Sequence, residues 1–209
     1  MRLSTSLERW LNLWVRLGLA GDGAEWHHRL MARYSEPHRA YHTCQHLEEC
    51  LNEFDAAKAA GKIPEPDLVE VALWFHDAVY DPRGSENEEL SANMAAEAIA
   101  GHSREAAVQR LILLTKSHVP EDWGGESDKW VIDIDLTIFG QPLQRVFEYE
   151  RQIRTEYSWV PEALYREKRR EILTSFLNRR YIYLTEWFHS RYDSKARENL
   201  TLLIHSLSL

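Results

Sequence analysis

Three short, widely separated stretches of this chain carry side chains that hold divalent cations. They are Tyr41-His42-Thr43-Cys44-Gln45-His46, the doublet His76-Asp77, and the aspartate pair in Asp133-Ile134-Asp135-Leu136. Two imidazoles and two carboxylates suffice as a ligand set. Nitrogen and oxygen donors without a thiolate suit Mn²⁺, Ni²⁺, Co²⁺, Fe²⁺, Zn²⁺ or Mg²⁺, because these borderline-to-hard ions accept imidazole and carboxylate together. The expectation is a metallohydrolase holding one or two such ions.

The elements that must position these groups read as helices. Apolar residues recur at helical spacing, cut by turn residues into segments near 4–18, 22–34, 43–60, 67–79, 86–100, 103–118, 142–157, 161–178 and 193–207. Breaks fall at Gly21-Asp22-Gly23, Gly61 to Pro66, Asp81-Pro82-Arg83-Gly84, Pro120 to Gly125, Gly140-Gln141-Pro142 and Pro161. Trp10, Leu11, Leu13, Trp14 and Leu17 form the buried stripe of the opening helix. One segment resists: Val131-Ile132-Asp133-Ile134-Asp135-Leu136-Thr137-Ile138 alternates like a half-buried strand. In a strand Asp133 and Asp135 share a face, whereas in a helix they point roughly 200° apart and one alone enters a given site. Periodicity does not choose between them.

Helical spacing also constrains the histidines. His42 and His46, four residues apart at a helix start, can project toward one pocket. His76 and Asp77 are adjacent and differ by about 100° around a helix, so both ligate one centre if the helix end points at it, or if Asp77 bridges two ions.

At 209 residues the chain is long enough for one domain with a sizeable core, and 44% hydrophobic with 28% charged residues excludes a disordered or fibrous chain. The formal net charge of −8 gives a field that repels a polyanion, which argues against long nucleic acid as a partner. A small phosphate ester is compatible, since a bound cation inverts the field locally. Cys44 and Cys50 are the two cysteines, too few for a disulfide framework, and fit a reducing, cytoplasmic setting. Glu8, Arg9 and Arg16 interrupt the N-terminal apolar residues, so no signal peptide is expected, and no run approaches the roughly 20 apolar residues of a membrane helix.

The ordered set His46, His76-Asp77, Asp135 resembles the HD superfamily of metal-dependent phosphohydrolases. The stretches Arg39 to His46 and Ala72 to Asp81, followed by Asn87-Glu88-Glu89-Leu90-Ser91-Ala92, resemble its bacterial branch of predicted metal-dependent HD phosphohydrolases, over nearly the whole chain. The resemblance implies an all-α, single-domain HD-type bundle over residues 1–209, with C-terminal helices packed on the core and helix rather than strand at 130–138. More distantly, Tyr41 to His46 is similar to the Tyr-His-Asn-x-x-His stretch of cyclic nucleotide phosphodiesterases, and Asp135-Leu136-Thr137 to their Asp-Leu-Ser, with Thr43 replacing their asparagine. That match implies His46 as a metal ligand, His42 as the acid that protonates the leaving oxygen, and Asp135 as the fourth ligand. Guanosine tetraphosphate hydrolases carry His-Asp-x-x-Glu-Asp, similar to His76 through Asp81. Tyr80 stands where they have glutamate, which argues against alarmone hydrolysis, while Asp81 matches their last carboxylate and implies a water-orienting role.

The implied reaction is attack of water on phosphorus, with a cation lowering the pKa of bound water toward about 7 and His42, of intrinsic pKa about 6.5, supplying the leaving-group proton. Lys116 and His118, closing a helix, are candidates to hold phosphoryl oxygens, as are Asn87 and Glu88, with Arg154 or Arg170 as phosphate-binding cations. Each has a plainer reading. Lys116 and His118 suit a helix C-terminus, Ser85 with Glu88 suits a capping box, Asp81 suits the turn before Pro82, and 148–180 suits a charged amphipathic helix pair. Tyr181-Ile182-Tyr183 with Trp187 and Phe188 reads as core. Two other function classes are a non-catalytic nucleotide-binding or sensing module, and a di-iron HD oxygenase for which His118 is the placed extra ligand.

Overall fold

The computed structural model of the chain describes residues 3–119 and 125–208, and among these every regular element is helical. The helices are α1 (Leu7–Arg16), α2 (Gly23–Tyr34), α3 (Cys44–Ala59), α4 (Pro66–Phe75), α5 (Asn87–Ala98), α6 (Glu105–Leu113), α7 (Glu126–Asp135), α8 (Leu143–Glu156), α9 (Glu162–Leu177) and α10 (Glu186–Ser206). The all-α expectation holds. The break expected at Pro120 to Gly125 lies, apart from Gly125, outside the described residues. The chain falls into two compact units, Met1–Ile132 and Asp133–Leu209, with the division inside α7.

In the first unit, helix starts are written in the sequence. Ser6 accepts from the Arg9 amide, Asp22 from Ala24 and Glu25, and Thr43 from Gln45, each satisfying amides that a first helical turn leaves open. The Thr43 cap fixes where α3 begins, and hence where His46 sits on its first turn. On α1, Trp10, Leu13 and Trp14 of the expected stripe are buried, whereas Leu11 and the C-cap Leu17 are half-buried. Trp10 packs edge-on against Trp74 and Phe75 of α4, with ring centroids 5.2 and 5.9 Å away, and donates its indole N–H to the Gly23 carbonyl at 2.6 Å.

α1 also ties α3 to α4. The Arg9 guanidinium forks onto both Asp55 oxygens on α3 and reaches Glu70 on α4 at 2.7 Å. Glu70 is 2% exposed and meets Arg16 at 2.8 Å and Lys58 at 3.6 Å as well. A buried carboxylate needs such compensation, and here three cations supply it. The helices that carry the two site histidines are thereby pinned together at the end away from the doublet.

Boundaries differ from expectation at several places, among them α6, which ends at Leu113 rather than 118 and leaves Lys116 and His118 beyond the helix they were expected to close. α4 ends at Phe75 rather than 79, because His76 is its C-cap and the next residues turn. α5 begins at Asn87 with Glu86 at the cap and no side-chain cap bond, so the expected Ser85–Glu88 capping box does not form. Instead Asn87 spends its amide on the Asp81 backbone, accepting from its N–H and donating to its carbonyl, both at 3.0 Å.

The second unit joins the 3₁₀ turn Leu136–Gly140 to α8, α9 and α10. Residues 131–138 are helical and then 3₁₀, not strand. Val131, Ile132, Asp133 and Ile134 are all fully buried, so the alternation did not mark an inside and an outside. α10 begins at Glu186, seven residues before the expected start, because Thr185 caps it by accepting from the Phe188 amide. Asn199 of α10 donates to the Phe139 and Gln141 carbonyls at 2.7 and 2.9 Å, and Tyr183 to the Leu136 carbonyl at 3.0 Å. Between α8 and α9, Glu150 accepts from Arg169 at 2.9 Å and from the Tyr165 hydroxyl at 2.8 Å. The charged helix pair therefore has a buried, paired interior. No described helix is long and apolar enough to cross a membrane.

Candidate metal centre

The site is assembled where α3 starts and α4 stops. His46, 2% exposed, points its Nε2 at the Nε2 of His76, 1% exposed, across 3.0 Å. Asp77 Oδ2 completes a triangle, 3.3 Å from His46 Nε2 and 3.1 Å from His76 Nε2. Cation–ligand distances of about 2.0–2.2 Å place neighbouring donor atoms about 3.0 Å apart at right angles and about 3.4 Å apart at tetrahedral angles. The triangle has those edges. His76 and Asp77, adjacent in sequence, both reach it because the helix has ended and the backbone turns.

The tautomer of His76 follows from its second nitrogen. Nδ1 lies 2.8 Å from the Leu73 carbonyl, and a carbonyl only accepts, so Nδ1 carries a proton and Nε2 is the nitrogen turned to the centre. The Asp77 carboxyl is pushed upward by burial, but the charges of His76 and His42 and hydrogen bonds from His46 and His76 outweigh this and hold it well below the usual carboxylate range. A carboxylate that stays ionised beside two imidazoles suits a cation.

A further grouping shares the two histidines. Donor atoms of His46, Cys50 and His76 lie within 4.8 Å of one another, and this group is able to hold a metal ion. On α7, which Asp135 ends, Asp133 is fully buried and accepts from the Leu184 and Thr185 amides and the Thr185 hydroxyl, each at 2.7 Å. The sequence expectation left Cys50 out of the set, and its sulfur stands 3.7 Å from both ring nitrogens of His46. Cys50 lies four residues after His46 on α3, a spacing that was legible.

Around the centre, His42 stacks its ring on Tyr80 at 4.1 Å and stands edge-on to His46 at 6.0 Å. Arg39 supplies the frame. Its guanidinium donates to the carbonyls of His42 (2.9 Å), Asp77 (2.7 Å) and Ala78 (3.1 Å), and to Glu36 (3.0 Å), between the Tyr34 and Tyr80 rings. One buried cation thus fixes the backbone of both site stretches, which no sequence pattern announced. Ser91 of α5 does likewise for the following turn, donating to the Val79 carbonyl and accepting from its amide. Arg39→Lys keeps the charge but loses the planar fork. It is expected to cost about 3 kcal/mol in urea unfolding and to weaken metal affinity about 10- to 100-fold, although Arg39 is no ligand; an unchanged affinity by titration calorimetry would remove Arg39 from the account.

The remaining sequence candidates are placed as follows. Asp81 is exposed and accepts from the Arg83 amide at 2.9 Å, closing the turn. The Glu88 carboxyl is pushed up chiefly by burial, with the Asp77 charge adding to the rise. Lys116 is bound by the Ser85 carbonyl at 2.9 Å and by Glu89. His118 follows α6 with φ of 51°, in the left-handed region. Arg154 joins α8 to α9, donating to Glu162 and to the carbonyls of Tyr157 and Val160. A cleft of about 510 Å³ is lined by residues including Arg33, Glu36, His38, Tyr80, Asp81 and Asn87, so Tyr80 faces both this cleft and His42. Comparison with protein-family models, with curated proteins and with solved structures found no match for the chain.

Proposed function

We propose that the chain is a metal-dependent phosphohydrolase of HD type, acting on a small phosphate ester or a nucleotide. The observation that carries this reading is the buried triangle of His46 Nε2, His76 Nε2 and Asp77 Oδ2, with edges of 3.0 to 3.3 Å. His46, His76 and Asp77 would hold one or two divalent cations, with Asp135 as the fourth ligand that the resemblance implies. When bound, such a cation activates water and neutralises charge on phosphoryl oxygens.

The chain's own residues do the rest. The His76 Nδ1 bond to Leu73 keeps the imidazole turned toward the centre, and Arg39 holds the two backbone stretches at a fixed separation. His42 is close enough for its charge to act on Asp77, and it delivers a proton to the leaving oxygen from a ring oriented by the Tyr80 face. The part of the substrate that is not transferred lies in the cleft beyond Tyr80, where Arg33, paired with Glu36 at 3.0 Å, offers a guanidinium and Asp81 and Asn87 shape the wall. Resemblance of the ordered set His46, His76-Asp77, Asp135 to the HD superfamily supports the same reading.

The test is a screen of nucleotides, sugar phosphates and phosphodiesters with Mn²⁺, Co²⁺, Ni²⁺, Zn²⁺ and Mg²⁺ supplied in turn. The expected result is turnover of at least one class, abolished by a chelator and restored by the cation. Turnover indifferent to chelation, or nucleotide binding with no turnover under any metal, contradicts it; the second outcome describes a sensing module.

A further inference from the structure

We propose that the cleft beyond Tyr80 admits an uncharged, hydroxyl-bearing leaving group and turns away a second phosphate. The substrate class is then the phosphate ester of a neutral alcohol such as a sugar or a nucleoside, rather than a di- or polyphosphate. The inference rests on the phosphohydrolase reading above and names the substrate class of that same site. Two features of the cleft wall ordinarily draw a phosphate, and the chain's own carboxylates occupy both. The first is the Arg33 guanidinium, held by Glu36 at 3.0 Å. The second is the N-terminus of α5, whose open amides and dipole attract anions. Glu86 stands at its cap, and Glu88 and Glu89 fill its first turn, so carboxylates offset the dipole before any ligand arrives. Lys116, which reaches the same end of α5, is taken up by the Ser85 carbonyl and by Glu89.

What the wall still offers is acceptor. Glu86 and Asp81 are exposed, Glu86 makes no cap bond, and Asp81 spends one oxygen on the Arg83 amide. His38 has already used a ring nitrogen, since Nε2 lies 2.7 Å from the Tyr80 carbonyl, which only accepts. Above about pH 7, where an imidazole is ordinarily uncharged, the lining carries the Arg33 cation against the carboxylates of Glu36, Asp81 and Glu86. Counting Arg39, which donates to Glu36 from behind the wall, still leaves the sign negative. Carboxylate oxygens accept from hydroxyls and repel phosphoryl oxygens. The exposed Leu90 side chain adds an apolar stretch, and about 510 Å³ is room for a small organic group. In the reaction the water oxygen bonds to phosphorus, the bond to the leaving oxygen breaks, and that oxygen takes a proton. The product left in the cleft is a neutral alcohol, which this wall suits.

The experiment compares matched substrates that differ by one phosphate, with the full chain at about pH 8 and each cation of the screen above. The pairs are a hexose monophosphate and its bisphosphate, a nucleoside monophosphate and its diphosphate, and a dinucleoside monophosphate with and without a terminal phosphate. In whichever pair turns over, kcat/KM is expected to favour the member without the extra phosphate about tenfold, the effect of added charge facing a negative wall. That preference is expected to shrink as salt rises. Glu86→Lys, at an exposed position, is expected to cut the ratio about tenfold. Equal or better turnover of the more phosphorylated member, or a ratio unmoved by Glu86→Lys, would overturn the proposal and leave the phosphohydrolase reading standing. No turnover of any pair under any cation would overturn both. Should the lysine variant fail to fold, the wild-type ratios and their salt dependence decide alone.

Discussion

Asp77→Ala is expected to abolish metal-dependent turnover, lowering kcat by about a thousandfold or more at saturating cation, while the protein remains folded. Loss of a partner that merely orients a ligand costs roughly 10- to 100-fold, and Asp77 is placed as a ligand itself, so its loss exceeds that. The carboxylate contributes the one negative charge of the triangle, and without it two imidazole nitrogens 3.0 Å apart are left to hold a divalent ion. Stability changes little, by about 1 kcal/mol or less, because the side chain retains 17% exposure and water replaces its contacts. Single-turnover and steady-state assays, with a urea melt as control, check both halves. Turnover within tenfold of wild type would remove Asp77 from the site.

Asp133→Ala is expected to have the opposite signature, a loss of about 4 kcal/mol in stability. The carboxylate is fully buried and accepts from two amides and a hydroxyl in the Leu184-Thr185 segment. Removing it leaves these donors dry and unsatisfied. The damage spreads, because Thr185 also caps α10 and positions its first turn against the Phe188 amide. Asp135→Ala, two residues along the same helix, is expected to change stability by about 1 kcal/mol and to weaken cation binding instead. Urea midpoints at unchanged slope report the first effect, and calorimetric titration the second. If Asp133→Ala loses metal binding at full stability, the two aspartates have exchanged roles.

How much of this was legible depended on whether a feature is local. The helical class and, to within one residue, the starts of α2 and α3 follow from apolar spacing and turn residues, whereas α1 starts at Leu7, behind its Ser6 cap, and not near 4. His46, His76 and Asp77 were picked out by type and order, and the structure brings them into one triangle. The aspartate pair could not be resolved by periodicity. Residues 131–134 are buried on every side, so what separates Asp133 from Asp135 is a segment some fifty residues on that donates to the first. Arg39 was invisible as the frame because its targets are backbone carbonyls, which every residue has. Cys50 was overlooked although its four-residue spacing from His46 was open to inspection; a thiol among Leu47, Leu51 and Phe54 reads as core until its sulfur is seen beside nitrogen. The early start of α10 was hidden by its aromatic lead-in, where Thr185 caps a helix whose first turn contains Trp187 and Phe188.

The central claim, that His46, His76 and Asp77 converge on a cation, is tested most directly by crystals grown with Co²⁺ and measured at the cobalt absorption edge. The account predicts an anomalous-scattering peak about 2.0–2.2 Å from both Nε2 atoms and from an Asp77 oxygen. A peak on other residues, or none at this triangle with cobalt in excess, would contradict it.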